Sequence, residues 1–286
     1  MPSVDTSERV TSLLRIAVSA AAPFGRAITG ERWRCRLADG REVFVKARPD
    51  APDGFFAVEA AGLEWLGAAA GGPPVPEVLG HDSRLLVLPW LDEEAPTPAA
   101  VDRLGRELAA LHAAGSPVFG GSRDGWIGAA PLDNRPAGTW AEFYATRRVL
   151  PYVRELRDSG RLSPAEVGLF ERLAAGLPEL AGPAEPPARI HGDLWCGNVV
   201  WSGGRGWLVD PAAHGGHRET DLAMLTLFGE SWVPRLLTPY EEVAAPADGW
   251  RERQRLHQVH PLLVHAVLFG AGYRAGAVAA AAAYVR

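Results

Sequence analysis

Cysteine is scarce: Cys35 and Cys196 are the only two in 286 residues. Two thiols cannot build the bridge framework of a small secreted domain, so the fold must rest on apolar burial. No stretch approaches the ~20 uninterrupted apolar residues of a membrane helix. The Ala-rich segment near the C-terminus follows Arg274 and reads as a terminal helix packed on the body. A basic segment leading into an apolar run, the pattern of a secretory signal, is missing at the start. Positive charge is not in excess either: 29 Lys and Arg against 34 Asp and Glu give a formal net charge of −5. General nucleic-acid binders neutralise phosphates with basic patches, so this balance argues against that class. Together these absences predict a cytoplasmic protein without membrane or nucleic-acid partners, and nothing in them demands more than a monomer.

What is present is ordinary globular composition, 47% hydrophobic and 22% charged, in a length that suits one large domain or two modest ones. Asp5 or Thr6 is expected to cap a first helix carrying Val10, Leu13 and Leu14. A hairpin follows: Trp33–Ala38 alternates apolar and charged residues, Asp39-Gly40 supplies a two-residue turn, and Glu42–Ala47 returns. Period two puts Val43, Val45 and Ala47 on one side, Phe44 and Lys46 on the other. Residues 55–69 read as a helix broken by Gly71-Gly72-Pro73-Pro74, and Arg84–Leu88 as another strand. Past the acidic, proline-containing stretch 93–98 the pattern turns helical. Val101, Leu104, Leu108 and Leu111 repeat on one face, and further helices are expected over 140–153, 164–175 and from Asp221 onward. Two short strands, 198–201 and 207–209, interrupt them. The predicted fold class is α+β and bilobal: a β-rich lobe over 1–92, a mainly helical lobe over 93–286, and a cleft between them, where ligands favour binding.

The chemistry concentrates in His191-Gly192-Asp193-Leu194-Trp195-Cys196-Gly197-Asn198. An aspartate followed five positions later by an asparagine has the spacing of a kinase catalytic loop: Asp accepts a hydroxyl proton and Asn holds magnesium. Twelve residues on, the strand-like Trp207–Val209 ends in Asp210-Pro211, which places a second carboxylate beside the metal. Lys46, in Val43-Phe44-Val45-Lys46, stands where a strand lysine pairs with ATP phosphates, and Glu59 on the next helix is its expected ion-pair partner. Leu88, Pro89 and Leu91 fall where a hinge offers backbone groups to adenine. Each residue alone has a plain structural reading, a solvated lysine or a turn aspartate; their order along one bilobal chain is what carries the argument. The histidines His191, His214 and His217 fit no zinc spacing.

His-Gly-Asp instead of His-Arg-Asp resembles the aminoglycoside phosphotransferase and choline kinase branch of the protein-kinase-like superfamily. Within it, HGDLWCGN (191–198), DPAAHGGHRETDLAM (210–224) and Leu227-Phe228-Gly229 resemble the fructosamine kinase family, as do FAVEAAGL (56–63), LAALH (108–112), Trp126-Ile127-Gly128, WAEFYATRR (140–148) and HAVLFGAGYR (265–274). That resemblance spans nearly the whole chain. It implies phosphorylation of a ketosamine, of fructosamine or ribulosamine type, at the sugar 3-hydroxyl. The phosphate then eliminates and the amine is released, a deglycation, with glycated protein lysines as a further acceptor class. It implies ATP as co-substrate with Mg2+, Asp193 as base, Asn198 and Asp210 as metal ligands, and Lys46 with Glu59 as phosphate clamp. Asp221 would brace the loop, and Trp195, His217, Glu219 and His265 would shape the sugar pocket. One departure is visible: the family's glycine-rich run before the hairpin is here Ala27-Ile28-Thr29-Gly30-Glu31-Arg32, with a single glycine. The rival readings are a kinase of another hydroxylated amine, of aminoglycoside or choline type, a non-catalytic nucleotide-binding regulator, and a metal-dependent phosphohydrolase.

Overall fold

The computed structural model describes residues 4–285. Helix α1 (Val4–Leu14) already runs through Thr6, so its cap lies outside the described residues. Strands β1 (Val18–Ala27), β2 (Gly30–Leu37) and β3 (Glu42–Ala47) are followed by α2 (Phe55–Gly67), β4 (Gly80–His81) and β5 (Leu85–Pro89). They form one antiparallel sheet in the order β1-β2-β3-β5-β4. The two faces follow the alternation of the sequence. Trp33, Cys35, Leu37, Val43 and Val45 bury against Val10 of α1 on the outer face. On the inner face Leu86 and Leu88 pack with Phe44 against Phe55, Phe56 and Leu63 of α2. Each large side chain so buried contributes about 1.5–3 kcal/mol.

Two expectations change here. β1 has no apolar alternation to announce it; it contains Pro23 and Gly25 and breaks register at Val18/Ala20 and Pro23/Gly25. It is held by edge pairing to β2, not by its own pattern. The β2–β3 hairpin closes through Leu37 and Arg41, with Gly40 at φ 87°, so its loop is the three residues 38–40 rather than two.

After β5, residues 90–97 carry no regular structure, and Thr97 caps α3 (Pro98–Ala113) by accepting from the Ala100 N–H at 3.2 Å. The hairpin β6 (Gly125–Ile127) and β7 (Ala130–Leu132) leads to α4 (Trp140–Phe143), a π-helical turn (Tyr144–Val149), and α5 (Leu150–Asp158). Next comes α6 (Pro164–Leu180), which starts with a capping box at Ser163 and Glu166. Strands β8 (Ala188–Ile190), β9 (Val199–Ser202), β10 (Arg205–Leu208) and β11 (His214–Gly216) pair as β8–β11 and β9–β10. The chain finishes with α7 (Arg218–Leu227), α8 (Val233–Ala244), α9 (Trp250–Phe269) and α10 (Ala271–Ala282). No helix among the described residues is long and apolar enough to cross a membrane. One helical core gathers α5, α6, α9 and α10; the other gathers α3, α7 and α8 around β9 and β10. The second core carries the loop between β8 and β9, and so sets the position of the site.

Candidate active site

The loop from His191 to Asn198 is held from beneath. Asp221, fully buried on α7, accepts from the N–H groups of His191 at 2.7 Å and Gly192 at 2.9 Å, and lies 3.2 Å from His112 Nε2. Two amide donors on one carboxylate fix the loop's path. Gly192 has φ 81°, and a Cβ there would strike the Ala212 carbonyl, so only glycine fits. His191 donates from Nε2 to the Val209 carbonyl at 2.9 Å and accepts the Asp193 N–H on Nδ1 at 3.3 Å. Burial lowers its pKa, which keeps the ring neutral in that tautomer.

Asp193 and Asn198 meet at the loop's two ends. The Asn198 amide donates to the Asp193 carbonyl at 2.8 Å and to its carboxylate Oδ2 at 3.2 Å. That leaves the Asn198 amide oxygen available to a cation. Burial, and next the charge of Asp210, push the Asp193 carboxyl up to about 8. Asp210 follows β10 with φ 55°, a sparsely populated backbone for a residue other than glycine. From the small lobe, Lys46 Nζ lies 2.5 Å from Glu59 Oε1 and 2.5 Å from Asp210 Oδ1, while Arg32 Nη2 lies 3.4 Å from Asp210 Oδ2. Burial alone would raise the Asp210 carboxyl, but Lys46 and Arg32 outweigh it and hold it low.

These groups line one cavity of about 290 Å3 between the lobes. Its lining includes Ile28 and Thr29 of the β1–β2 turn, Arg32, Lys46 and Glu59 of the small lobe, Asp193 and Asn198 of the β8–β9 loop, Asp210, and Trp126, Trp195, His265 and Phe269. Asn198 and Asp210 supply hard oxygen donors, the set that Mg2+ prefers. Asp210 draws two side-chain cations to its two oxygens, and Asp193 is pushed towards its protonated form by burial first and by the Asp210 charge next. Both observations fit a divalent cation at this point.

Of the residues singled out from sequence, Lys46, Glu59, Asp193, Trp195, Asn198, Asp210 and His265 share this cavity. Leu88, Pro89 and Leu91 do not line it. Leu88 is buried in the inner core and Pro89 ends β5 opposite Val43. Between them and Leu91, Trp90 meets Phe24 edge-on at 4.8 Å and carries the Arg34 guanidinium at 4.3 Å. His217 and Glu219 lie elsewhere, both buried in the helical lobe. Arg253 grips both Glu219 oxygens, at 3.0 and 2.6 Å, and His257 Nε2 stands 3.3 Å from Oε2. His217, Glu219 and His257 are close enough to share a cation, and Arg253 spans both carboxylate oxygens there. Their place argues for helix bracing at the start of α7, not sugar contact. Cys35 faces the outer core, where burial pushes its thiol up to about 11.

Sequence reasoning missed Arg32. It lies directly opposite Lys46 in the β2–β3 register. A two-residue turn would have put Trp33 there instead; the three-residue loop shifts the pairing by one.

The profile of the fructosamine kinase family matches residues 16–286. A probable ketoamine kinase of Synechocystis is 35% identical over 249 residues, spanning 83% of this chain and 81% of its own. The crystal structure of a putative fructosamine-3-kinase from Thermobifida fusca superposes with a TM-score of 0.92 at 52% identity, over 97% of each chain. The choline kinase LicA of Streptococcus pneumoniae superposes with a TM-score of 0.67 at 16% identity over 98% of each chain, a likeness of fold.

Proposed function

Because the chain belongs to the fructosamine kinase family, we propose that it transfers the terminal phosphoryl group of ATP to the sugar 3-hydroxyl of a ketosamine, of fructosamine or ribulosamine type. The observation that carries this reading is the convergence of Asp193, Asn198, Asp210 and the Lys46–Glu59 pair on one cavity that also presents Trp195 and His265. In it, residues 1–92 are the nucleotide lobe and 93–286 the catalytic and acceptor lobe.

The chain's own groups suit an in-line displacement. Lys46 is locked by Glu59, so its ammonium is already oriented when the phosphates arrive, and orientation lowers the entropic part of the barrier. A magnesium ion held by Asn198 and Asp210 would supply charge neutralisation on the phosphates. Asp193, fixed by the Asn198 amide, accepts the hydrogen bond of the 3-hydroxyl and then its proton. Trp195, 36% exposed, offers its ring to the apolar face of the sugar, and His265 lines the same cavity with Nδ1 tied to the Pro261 carbonyl at 2.7 Å. The 3-phosphate then leaves the ketosamine as inorganic phosphate by elimination, and water hydrolyses the remaining imine to free the amine, which makes the reaction a deglycation. Glycated lysine side chains are within the same acceptor chemistry.

The test is ATP turnover with Mg2+ in the presence of fructosamines and ribulosamines, with mass spectrometry of the products. A sugar 3-phosphate formed only when the ketosamine is present is the expected result. ATP bound tightly but no ketosamine turned over would move the assignment to another hydroxylated amine.

A further inference from the structure

Three features of the small lobe converge on Arg32. The first is position. Arg32 and Lys46 are a directly opposed pair on neighbouring strands, and both side chains line the interlobe cavity. Like charges so placed repel unless anions separate them. Here Glu59 and Asp210 do so, giving two cations and two carboxylates. The second is unused bonding capacity. A guanidinium has five N–H donors. Arg32 engages Asp210 through Nη2 alone, at a long 3.4 Å, and its Nε is buried without a partner. The third is the loop before the hairpin. In kinases a glycine-rich loop covers the phosphates. The β1–β2 turn here instead points Ile28 and Thr29 at the cavity, and its one glycine, Gly30, is pinned where a Cβ would strike the Ala47 carbonyl. A turn fixed on β3 and armed with side chains has little freedom to wrap phosphates in backbone amides.

We propose that Arg32 is a phosphate-binding residue, which holds the β- and γ-phosphates of ATP beside Lys46 and takes over the charge complementarity that a glycine-rich loop would otherwise supply. The inference rests on the kinase reading of the cleft. Its charge balance agrees. Without Arg32 the carboxylates of Glu59 and Asp210 would have Lys46 as their one side-chain cation, and the phosphates would meet less positive charge.

The experiment is calorimetric binding of ATP and of AMP, in Mg2+, to the wild-type chain, Arg32→Gln and Arg32→Lys. In Arg32→Gln the ratio of ATP to AMP affinity falls about tenfold or more, the size of one lost charge-assisted hydrogen bond, while AMP affinity is unchanged. Arg32→Lys keeps most of the wild-type ratio. Because each ratio is taken within one folded protein, lost stability does not imitate the effect. An unchanged ratio in Arg32→Gln, or equal losses for ATP and AMP, overturns the role of Arg32 and leaves the kinase reading intact. A wild-type chain that binds AMP as tightly as ATP overturns both, since Arg32 would then have no phosphate to hold.

Discussion

The buried ion network under the small lobe and the one inside the helical lobe are made of the same parts. Lys46 and Arg32 face Glu59 and Asp210; Arg253 and His257 face Glu219. They differ in what is left over. Around Glu219 the ions pair within the lobe: Arg253 spans both oxygens, its Nη1 reaches the Asp248 carbonyl at 2.8 Å, and His257 Nδ1 lies 2.9 Å from the Thr220 hydroxyl, which leaves His257 Nε2 near Oε2 without a formed hydrogen bond. Around Asp210 more is left over. A neighbouring carboxyl is pushed up to about 8, an arginine Nε has no partner, Asp210 sits in a strained backbone, and the whole group opens on a cavity. A closed network braces a fold. An open one holds charge in readiness for something that is not protein.

Breaking each network separately should show that difference. The largest effect is expected from Asp193→Asn: kcat falls by about 10²–10⁴, the usual share of a positioned base, while ATP affinity stays near wild type. Full ketosamine kinase activity in that variant would remove the base assignment. Next is Arg253→Ala, which strands a buried carboxylate and lowers stability by about 3–5 kcal/mol in chemical denaturation. The fraction that remains folded should keep its KM for the ketosamine; a raised KM would return Glu219 to the acceptor site. Trp195→Ala should raise that KM by about tenfold, from lost ring contact, and leave ATP binding alone.

The smallest effect concerns acid. Burial alone would raise the Glu219 carboxyl, but His257 and Arg253 hold it at about 2, below its ordinary 4.5. A carboxyl depressed in the folded state stabilises fully above its unfolded value and loses that contribution as protons bind. The contribution of this pair is therefore complete above pH 4.5 and declines as pH falls from there through 2. Glu219→Gln should begin less stable and show a flatter acid limb by circular dichroism. An acid limb as steep as wild type would place the titrating group elsewhere.

Much of the site was readable because its chemistry is written in spacing. On the proposed reading a base and a metal ligand leave the two ends of one short loop, which is why Asp193 and Asn198 stand five apart. Lys46 must come from a strand whose alternation points it inward, and Glu59 from the helix packed on that face. What was not readable depends on direction and register. β1 carries no alternation, because an edge strand with Pro23 and Gly25 is specified by its neighbour. His217 and Glu219 begin α7 in a family-like motif, and nothing local says that they turn to α9 and not to the cavity.

The sequence by itself determined the two lobes, the faces of β3, and the catalytic loop with its paired Asp and Asn, because each follows from period or from a short covalent tether. Only the tertiary structure decided that Arg32 faces Lys46. A single added residue in the 38–40 loop shifts the strand pairing by one, and side-chain direction in a sheet reverses with every residue.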